Sequence, residues 1–444
     1  MLINKHQEYL QQLPSDWEKL PIDKLGIIYS GGTPNRLNES LWNGCIAWVT
    51  PGEITNLDSK WLTKTQEYIT ELGLSSSSAK VMPKGTILVT TRATIGTVKI
   101  AAIPISTNQG LKSIVLNEFN NPIFYYYLLD WIKSEIVRLS SGSTFDEISR
   151  RDFINIVVPR PPLKEQKLIA EILDTIDEAI AHTSSIIAKL KQIKAGLLHD
   201  LLTRGLDENG ELRDAIAHPE QFKDSPLGKI PKDWEVSTID NISIYVGSGV
   251  TPTGGSDVYQ TEGVLFIRSQ NVTFDGLLLD DVVYIDHRTH KKMKRSEIFE
   301  HDILLNITGA SIGRCYPVPE GLGLANVNQH VCAIRLPNPN KEDAIFLSLV
   351  LASYIGQSQI AKLNAGGNRE GLNYQQIRSF LIPFPSFNER AYIAKILNNH
   401  DIRTRTEQTY LEKLKLQKKG LMHDLLTGKI RVGAYCNTPL QISE

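Results

Sequence analysis

From Ile169 the largely apolar positions Ile172, Ile176, Ala179, Thr183, Ile186, Leu190, Ile193 and Leu197 follow at alternating steps of three and four. That spacing is a heptad seam sustained for four heptads. A helix of ~38 residues would be ~57 Å long, more than a domain of ~150 residues can cover, so the pattern predicts a partner helix. A second segment from Ile393 offers Ile396, His400, Arg403, Glu407, Tyr410, Leu414, Gln417 and Leu421. Four of these are polar, and moving the register to Leu397 and Leu411 restores only part of the seam. Pairing within the chain predicts an antiparallel coiled coil with a globular part at either end of a rod. Each globular part combines short β-rich runs (Gly85 to Thr91, Asp302 to Thr308) with apolar, helix-length runs (Ile123 to Leu139, Ala344 to Leu363). It reads as mixed α/β, about 150 residues long.

The same order occurs twice. Pro14, Asp16, Trp17, Glu18, Ile22 and Asp23 return as Pro231, Asp233, Trp234, Glu235, Ile239 and Asp240. Thr33-Pro34 returns as Thr251-Pro252, Ile95-Gly96 as Ile312-Gly313, and Asn108-Gln109 as Asn328-Gln329. Lys189 to Thr203 matches Lys413 to Thr427 at eleven of fifteen positions. Between these anchors the halves diverge, so one scaffold carries two different inserts. Pro159-Arg-Pro-Pro162 and Pro383-Phe-Pro385 precede the helical segments. The expected division is a globular part at 1–157, a helical spacer at 158–204, a turn-rich linker at 205–229, a second globular part at 230–381, a second spacer at 382–432 and a frayed tail at 433–444. The fold class is α+β, with an internal pseudo-twofold repeat.

Composition narrows the chemistry. The 48 Lys+Arg against 49 Asp+Glu supply no bulk attraction to nucleic acid, so any DNA binding must come from local patches or a partner's charge. The chain shows no apolar span of about 20 residues, and its start lacks the pattern of a secretory signal, which points to the cytoplasm. Cys45, Cys315, Cys332 and Cys436 show no CxxC spacing for zinc. No Gly-rich turn for S-adenosylmethionine, no amino-methylation loop and no GxxxxGK[ST] loop occurs. Glu53, Asp58 and Asp146-Glu147 lack the spacing of a nuclease site and read as solvated carboxylates. His199 and His423, equivalent in the two repeats, suit helix-end packing or partner contact better than metal binding.

The ordered anchors resemble the specificity subunit of type I restriction-modification systems. The features that carry the resemblance are the Asp-Trp-Glu start of each repeat, Gly32-Thr33-Pro34 and Gly249-Val250-Thr251-Pro252, the paired Ile-Gly and Asn-Gln anchors, the prolines before each helix, and the duplicated His-Asp-Leu-Leu-Thr ending. Together they span residues 14 to 432. The resemblance implies a non-catalytic subunit of a restriction and adenine-methyltransferase complex. Its two target-recognition domains each read one half of a split, asymmetric DNA site, and its helices space the domains and dock two methyltransferase subunits. S-adenosylmethionine, ATP and Mg²⁺ would belong to those partners and to motor-nuclease subunits. The polar stretch His400 to Glu407 departs from a clean pattern. A free-standing DNA-binding regulator and a helical scaffold without DNA binding are the competing classes.

Domains that read different bases should differ where they read, so the shared anchors read as scaffold turns or partner contacts. The expected DNA-facing residues are Arg36, Lys80, Lys84, Arg92 and Lys99 in the first half, and Arg268, Gln270, Asn271, Arg288, Lys291, Lys292, Lys294, Arg295 and Arg314 in the second. Residues 287–295 hold five Lys/Arg, a phosphate clamp or a solvated helix face.

Overall fold

The computed structural model describes residues 5–140, 147–364 and 371–433; Asp146, Cys436 and the tail after Gly433 lie outside them. The chain divides into two compact units, residues 1–184 with 410–444, and residues 185–409. The last part of the chain therefore completes the unit that contains the first.

In the first unit a five-stranded sheet runs in the order Gly26–Ser30, Leu111–Leu116, Ile87–Thr90, Val98–Ala101 and Trp61–Leu62. A three-stranded sheet places Trp42–Val49 between Glu67–Ile69 and Ser106–Thr107. The second unit repeats this plan. One four-stranded sheet runs Tyr245–Ser248, Val331–Arg335, Ile303–Asn306 and Cys315–Pro317; the other runs Val283–Ile285, Val264–Ile267, Ala325–Val327 and Glu297–Ile298. The central strands Ile87–Thr90 and Ile303–Asn306 are buried at every position, which is why they read as apolar runs rather than alternations.

The apolar helical runs are each broken in two. Pro122–Trp131 is followed by Lys133–Ser140, and Lys341–Ala352 by Tyr354–Asn364 with a bend of 54°. At the second break the Ser353 hydroxyl accepts from the Ile355 N–H, and Gly356 lies so close to the Leu351 backbone that a Cβ would overlap it. The break folds the apolar residues Phe346, Leu347, Val350, Leu351 and Ile360 into one core. No single helix among the described residues is long and apolar enough to cross a membrane.

The recurring starts and proline-marked segments are two strands of one ribbon. Glu18–Pro21 pairs antiparallel with Val157–Arg160, and Glu235–Thr238 with Leu381–Phe384. Each ribbon leads into a long helix, Leu163–Thr203 or Phe387–Leu426. Equivalent residues fasten the helix starts: Gln166 Nε2 donates to the carbonyls of Phe119 and Pro161, while Arg390 bonds Asp343 and the Pro385 carbonyl.

Within each unit the long helices pack antiparallel. In the first unit Ile169, Ala170 and Leu173 share a core with Met422, Leu425 and Leu426, and Lys418 pairs with Asp177 at 2.6 Å. In the second, Leu201 and Leu202 share a core with Ile393, Ala394 and Leu397, and Lys194 pairs with Asp401 at 2.6 Å. Along one row of the first helix Ile169, Leu173, Ile176, Ile180 and Thr183 are buried or half-buried in the first unit, and Ile187, Leu190, Lys194, Leu197 and Leu201 in the second. This row keeps the expected positions Ile169, Ile176, Thr183, Leu190 and Leu197 and moves the alternate ones by one residue: Ile172, Ala179 and Ile186 flank it half-buried, and Ile193 is 52% exposed. The Lys194–Asp401 pair takes the place expected of Ile193. On the second helix Ile393, Leu397, Thr404, Leu414 and Leu425 are buried, His400, Glu407, Leu411 and Leu421 are half-buried, and Ile396 lies half-buried beside the row. The register at Leu397 and Leu411 is therefore the one adopted.

One four-residue cluster closes each unit. In the first, the buried Trp17 donates its indole N–H to Glu165 at 3.0 Å, and Arg431 clasps both Glu165 (2.8 and 2.9 Å) and Asp16 (2.8 and 2.7 Å). In the second, Trp234 donates to Glu389 at 3.0 Å, and Arg213 bridges Glu389 (2.7 Å) and Asp233 (2.9 Å). A glycine of positive φ follows each long helix, Gly205 (64°) and Gly428 (68°); a Cβ would drive the first into Trp234 and Glu389 and the second into Pro14. The turn-rich segment from Gly205 to Gly228 is folded. Leu206 is buried, its N–H bonds Glu389, and Phe222–Ser225 and Gly228–Pro231 form a hairpin.

Hydrogen bonds from Arg431 hold the Asp16 carboxyl below its ordinary range. The stability Asp16 contributes is therefore present above that range and is lost as pH falls through the lowered value. The second cluster is the drier: Arg213 and Glu389 side chains are 10% and 8% exposed, against 31% and 6% for Arg431 and Glu165. Arg213→Ala strands a buried carboxylate and is expected to cost about 3–5 kcal/mol in denaturant unfolding. Arg431→Ala should cost less; an equal or larger loss would contradict the ranking.

Candidate nucleic-acid interface

The shared anchors, far apart in sequence, come together. In the first unit three turns meet: Gly31 to Pro34, Thr91 to Gly96, and Asn108 to Gly110. Gly32 N–H donates to the Thr107 carbonyl at 2.9 Å, and Thr91 N–H to the Gly110 carbonyl at 2.9 Å. The Thr33 hydroxyl donates to Gln109 Oε1 at 2.6 Å. In the second unit Gly249 N–H donates to the Val331 carbonyl at 3.2 Å and Ile307 N–H to the His330 carbonyl at 3.0 Å, and the Thr251 hydroxyl bonds Gln329 Oε1. The turn glycines are needed for close approach. A Cβ on Gly31 would overlap the Thr107 and Asn108 carbonyls, and one on Gly249 the Val327 carbonyl. Asn108 and Asn328 each fold their side-chain oxygen back onto the N–H two residues on, fixing the turn. Ile95 is buried behind the platform, and Gly96 (φ 82°) and Gly313 (φ 87°) end the second turn.

The expected DNA-facing residues fall into three groups. Lys80 and Lys84 are exposed on the first unit, as are Arg288, Lys291, Lys292, Lys294 and Arg295 on the second. Of these, Arg288, Lys291 and Lys292 lie on a short helix, His287–Lys292, capped by Asp286, whose carboxyl is held low by its hydrogen bonds to Thr289. Lys294 pairs with Glu297 at 2.5 Å. Arg314 is half-buried at the edge of its sheet.

A second group, exposed but for Arg268, is pinned by contacts within the chain. Arg36 pairs with Glu67 and lies 4.0 Å over the Trp42 ring, and Arg92 pairs with Glu147 through Nε and Nη2. Gln270 donates to Asp281 at 2.8 Å, and Arg268, half-buried, donates to the Asp281 carbonyl at 3.1 Å.

The third group is inside. Lys99 is buried on its strand, donates to the Leu57 carbonyl, and burial lowers its pKa. Asn271 is 1% exposed, with its amide engaged by the Arg268 N–H and the Leu278 and Asp281 carbonyls. It shapes the turn that presents Arg268 and Gln270.

Sequence reading treated the shared anchors as scaffold and did not single out His330. Its signal is faint: it follows the repeated Asn-Gln pair where the first half has Gly110. In the fold its Nδ1 lies 2.6 Å from the Thr308 hydroxyl and its Nε2 3.0 Å from Gln329 Nε2. Among the described residues no group of three or more His, Cys, Asp and Glu could hold a metal ion.

Residues 14–192 and 231–416 match the family described as the type I restriction modification DNA specificity domain. The MjaIX specificity subunit of a type I restriction enzyme from Methanocaldococcus jannaschii is 27% identical over 303 residues, 68% of each chain. The EcoBI specificity subunit from Escherichia coli is 28% identical over 315 residues, 69% of this chain and 63% of its own. The crystal structure of a type I restriction-modification S subunit from M. genitalium superposes with a TM-score of 0.58 at 18% identity, covering 96% of this chain and 98% of that one. The match takes in both repeats and most of both long helices, and on that extent the chain belongs to the type I restriction-modification DNA specificity family.

Proposed function

We propose that the chain is the non-catalytic DNA sequence-specificity subunit of a type I restriction-modification complex, acting in the cytoplasm. Each unit reads one half of a two-part, asymmetric DNA site. The long helices set the distance between the halves and dock two methyltransferase subunits, to which motor-nuclease subunits are added. S-adenosylmethionine, ATP and Mg²⁺ serve the partners. The observation that carries this reading is the pairing of one repeated three-turn platform with unlike inserts: a fifth sheet strand at Trp61–Leu62 in one unit, the basic helix His287–Lys292 in the other. Repeated scaffold with divergent inserts is what reading two unlike half-sites requires. A free regulator would bind DNA tightly without a methyltransferase partner, and a scaffold would not bind it at all.

Genome-wide mapping of N6-methyladenine in the host, with and without this gene, tests the proposal. A split motif should vanish with the gene; an unchanged methylome would refute it. Inserting one heptad into each long helix lengthens it by ~10.5 Å and should widen the unread gap by about three base pairs. An unaltered gap would rule out the helices as the spacer.

The exposed and buried lysines separate experimentally. Lys291→Ala with Lys292→Ala should weaken binding of the assembled complex to all sequences and reduce the salt slope by about one to two. Lys99→Met, at a buried position, should leave that slope unchanged. An unchanged slope in the first variant would remove the phosphate clamp.

A further inference from the structure

The two platforms are built on equivalent backbone but end in different side chains. The N–H of Thr91 bonds the carbonyl of Gly110, and that of Ile307 the carbonyl of His330. The next residues, Arg92 and Thr308, each form an isolated bridge, to Glu147 and Gly371 respectively. These bonds fix the correspondence: Arg92 with Thr308, Glu147 with Gly371, Gly110 with His330, Gln109 with Gln329. At three neighbouring positions one unit thus has Arg, Glu and Gly, and the other Thr, Gly and His. They fill the same space from different loops. A Cβ on Gly110 would lie 3.6 Å from Arg92 Cβ, so a side chain there would meet the arginine.

The polar order of each platform follows. In the first unit Glu147 Oε2 takes the Arg92 Nε and Nη2 hydrogens at 3.0 and 2.5 Å, which leaves Nη1 outside that pair on a guanidinium already held in place, in a side chain 51% exposed. In the second a directed chain crosses three loops. The Thr251 hydroxyl donates to Gln329 Oε1, Gln329 Nε2 donates to His330 Nε2, and His330 Nδ1 then carries the proton and donates to Thr308. Gln329 is exposed and keeps one N–H and one oxygen lone pair in a fixed orientation. That donor and acceptor match the major-groove edge of adenine, whereas an arginine N–H pair matches guanine. Side chains ordered before binding lose little entropy on contact.

We propose that this platform is a specificity-determining site in both units. Arg92 reads a base in the half-site of the first unit, and Gln329, oriented by His330 as a positioning residue, reads one in the half-site of the second. The assignment rests on the reading of the chain as a specificity subunit.

The test uses the complex with its methyltransferase partner and compares the methylated motifs written by wild type, Arg92→Thr and His330→Gly. Each substitution installs the residue found at the equivalent place in the other unit. Arg92→Thr should reduce discrimination roughly tenfold at one position or more of one half-site and leave the other half-site intact; His330→Gly should do the converse. Should either variant fail to fold on a thermal melt, Arg92→Thr with Glu147→Gly, or His330→Gln, replaces it with the same expectation. A wild-type split motif that both variants preserve overturns the proposal alone, as does slower methylation with unaltered base preference. A wild-type complex that writes no split motif overturns the underlying reading, and the proposal with it.

Discussion

A carboxylate shared between a tryptophan and an arginine holds each unit shut. Glu165 and Glu389 stand in the first turns of the long helices, and each is nearly buried. A buried carboxylate is tolerated only when its lone pairs are met, and here an indole N–H and a guanidinium meet them. The same arginine reaches the aspartate beside the tryptophan. The start of a repeat, the start of one long helix and the segment after the end of the other are thereby tied at a single point. The ribbon Glu18–Pro21 with Val157–Arg160, and its counterpart in the second unit, run out from that point. The recurrence of Asp-Trp in the sequence is the trace of this constraint.

Away from it the chain is free to differ. The first unit adds the strand Trp61–Leu62, placed by Lys60, which pairs with Asp174 on the long helix. Asp174 also lies 2.7 Å from the Tyr127 hydroxyl, as does Asp177, and burial together with these two carboxylates raises the tyrosine's pKa. The second unit instead orders its insert around Asn326, whose amide bonds His290, Met293 and Ser296. Two local networks thus support two different surfaces on sheets of one topology.

Much of this was legible in the sequence. The duplication, the mixed α/β units, the long helices and their antiparallel pairing follow from anchor spacing and heptad period. On the first helix the row through Ile169, Ile176, Thr183, Leu190 and Leu197 was legible too, but the alternate positions were not, because Ile172-Leu173 and Ile186-Ile187 are adjacent apolar pairs and pattern alone cannot choose between them. The choice is made by Lys194 and Asp401, which pattern reading discounts as polar. The candidate interface was legible in part. Lys291 and Lys292 are as exposed as a basic run suggests. Lys99 and Asn271 are residue types suited to DNA, yet strand and turn direction carry them inward. His330 gains its partners only from loops brought together by the fold.

The division of the chain also orders its assembly in time. The second unit is made of one continuous stretch, 185–409, and has all its parts once that stretch has left the ribosome. The first unit is begun earlier yet lacks Met422, Leu425, Leu426 and Arg431 until the stretch beyond residue 409 has also been made. Closing it joins residues more than 400 positions apart, whose loop entropy is reduced because the intervening unit is already compact. A nascent chain truncated before Tyr410 would therefore carry one finished reading head and one exposed core, a difference that quality-control proteases can recognise.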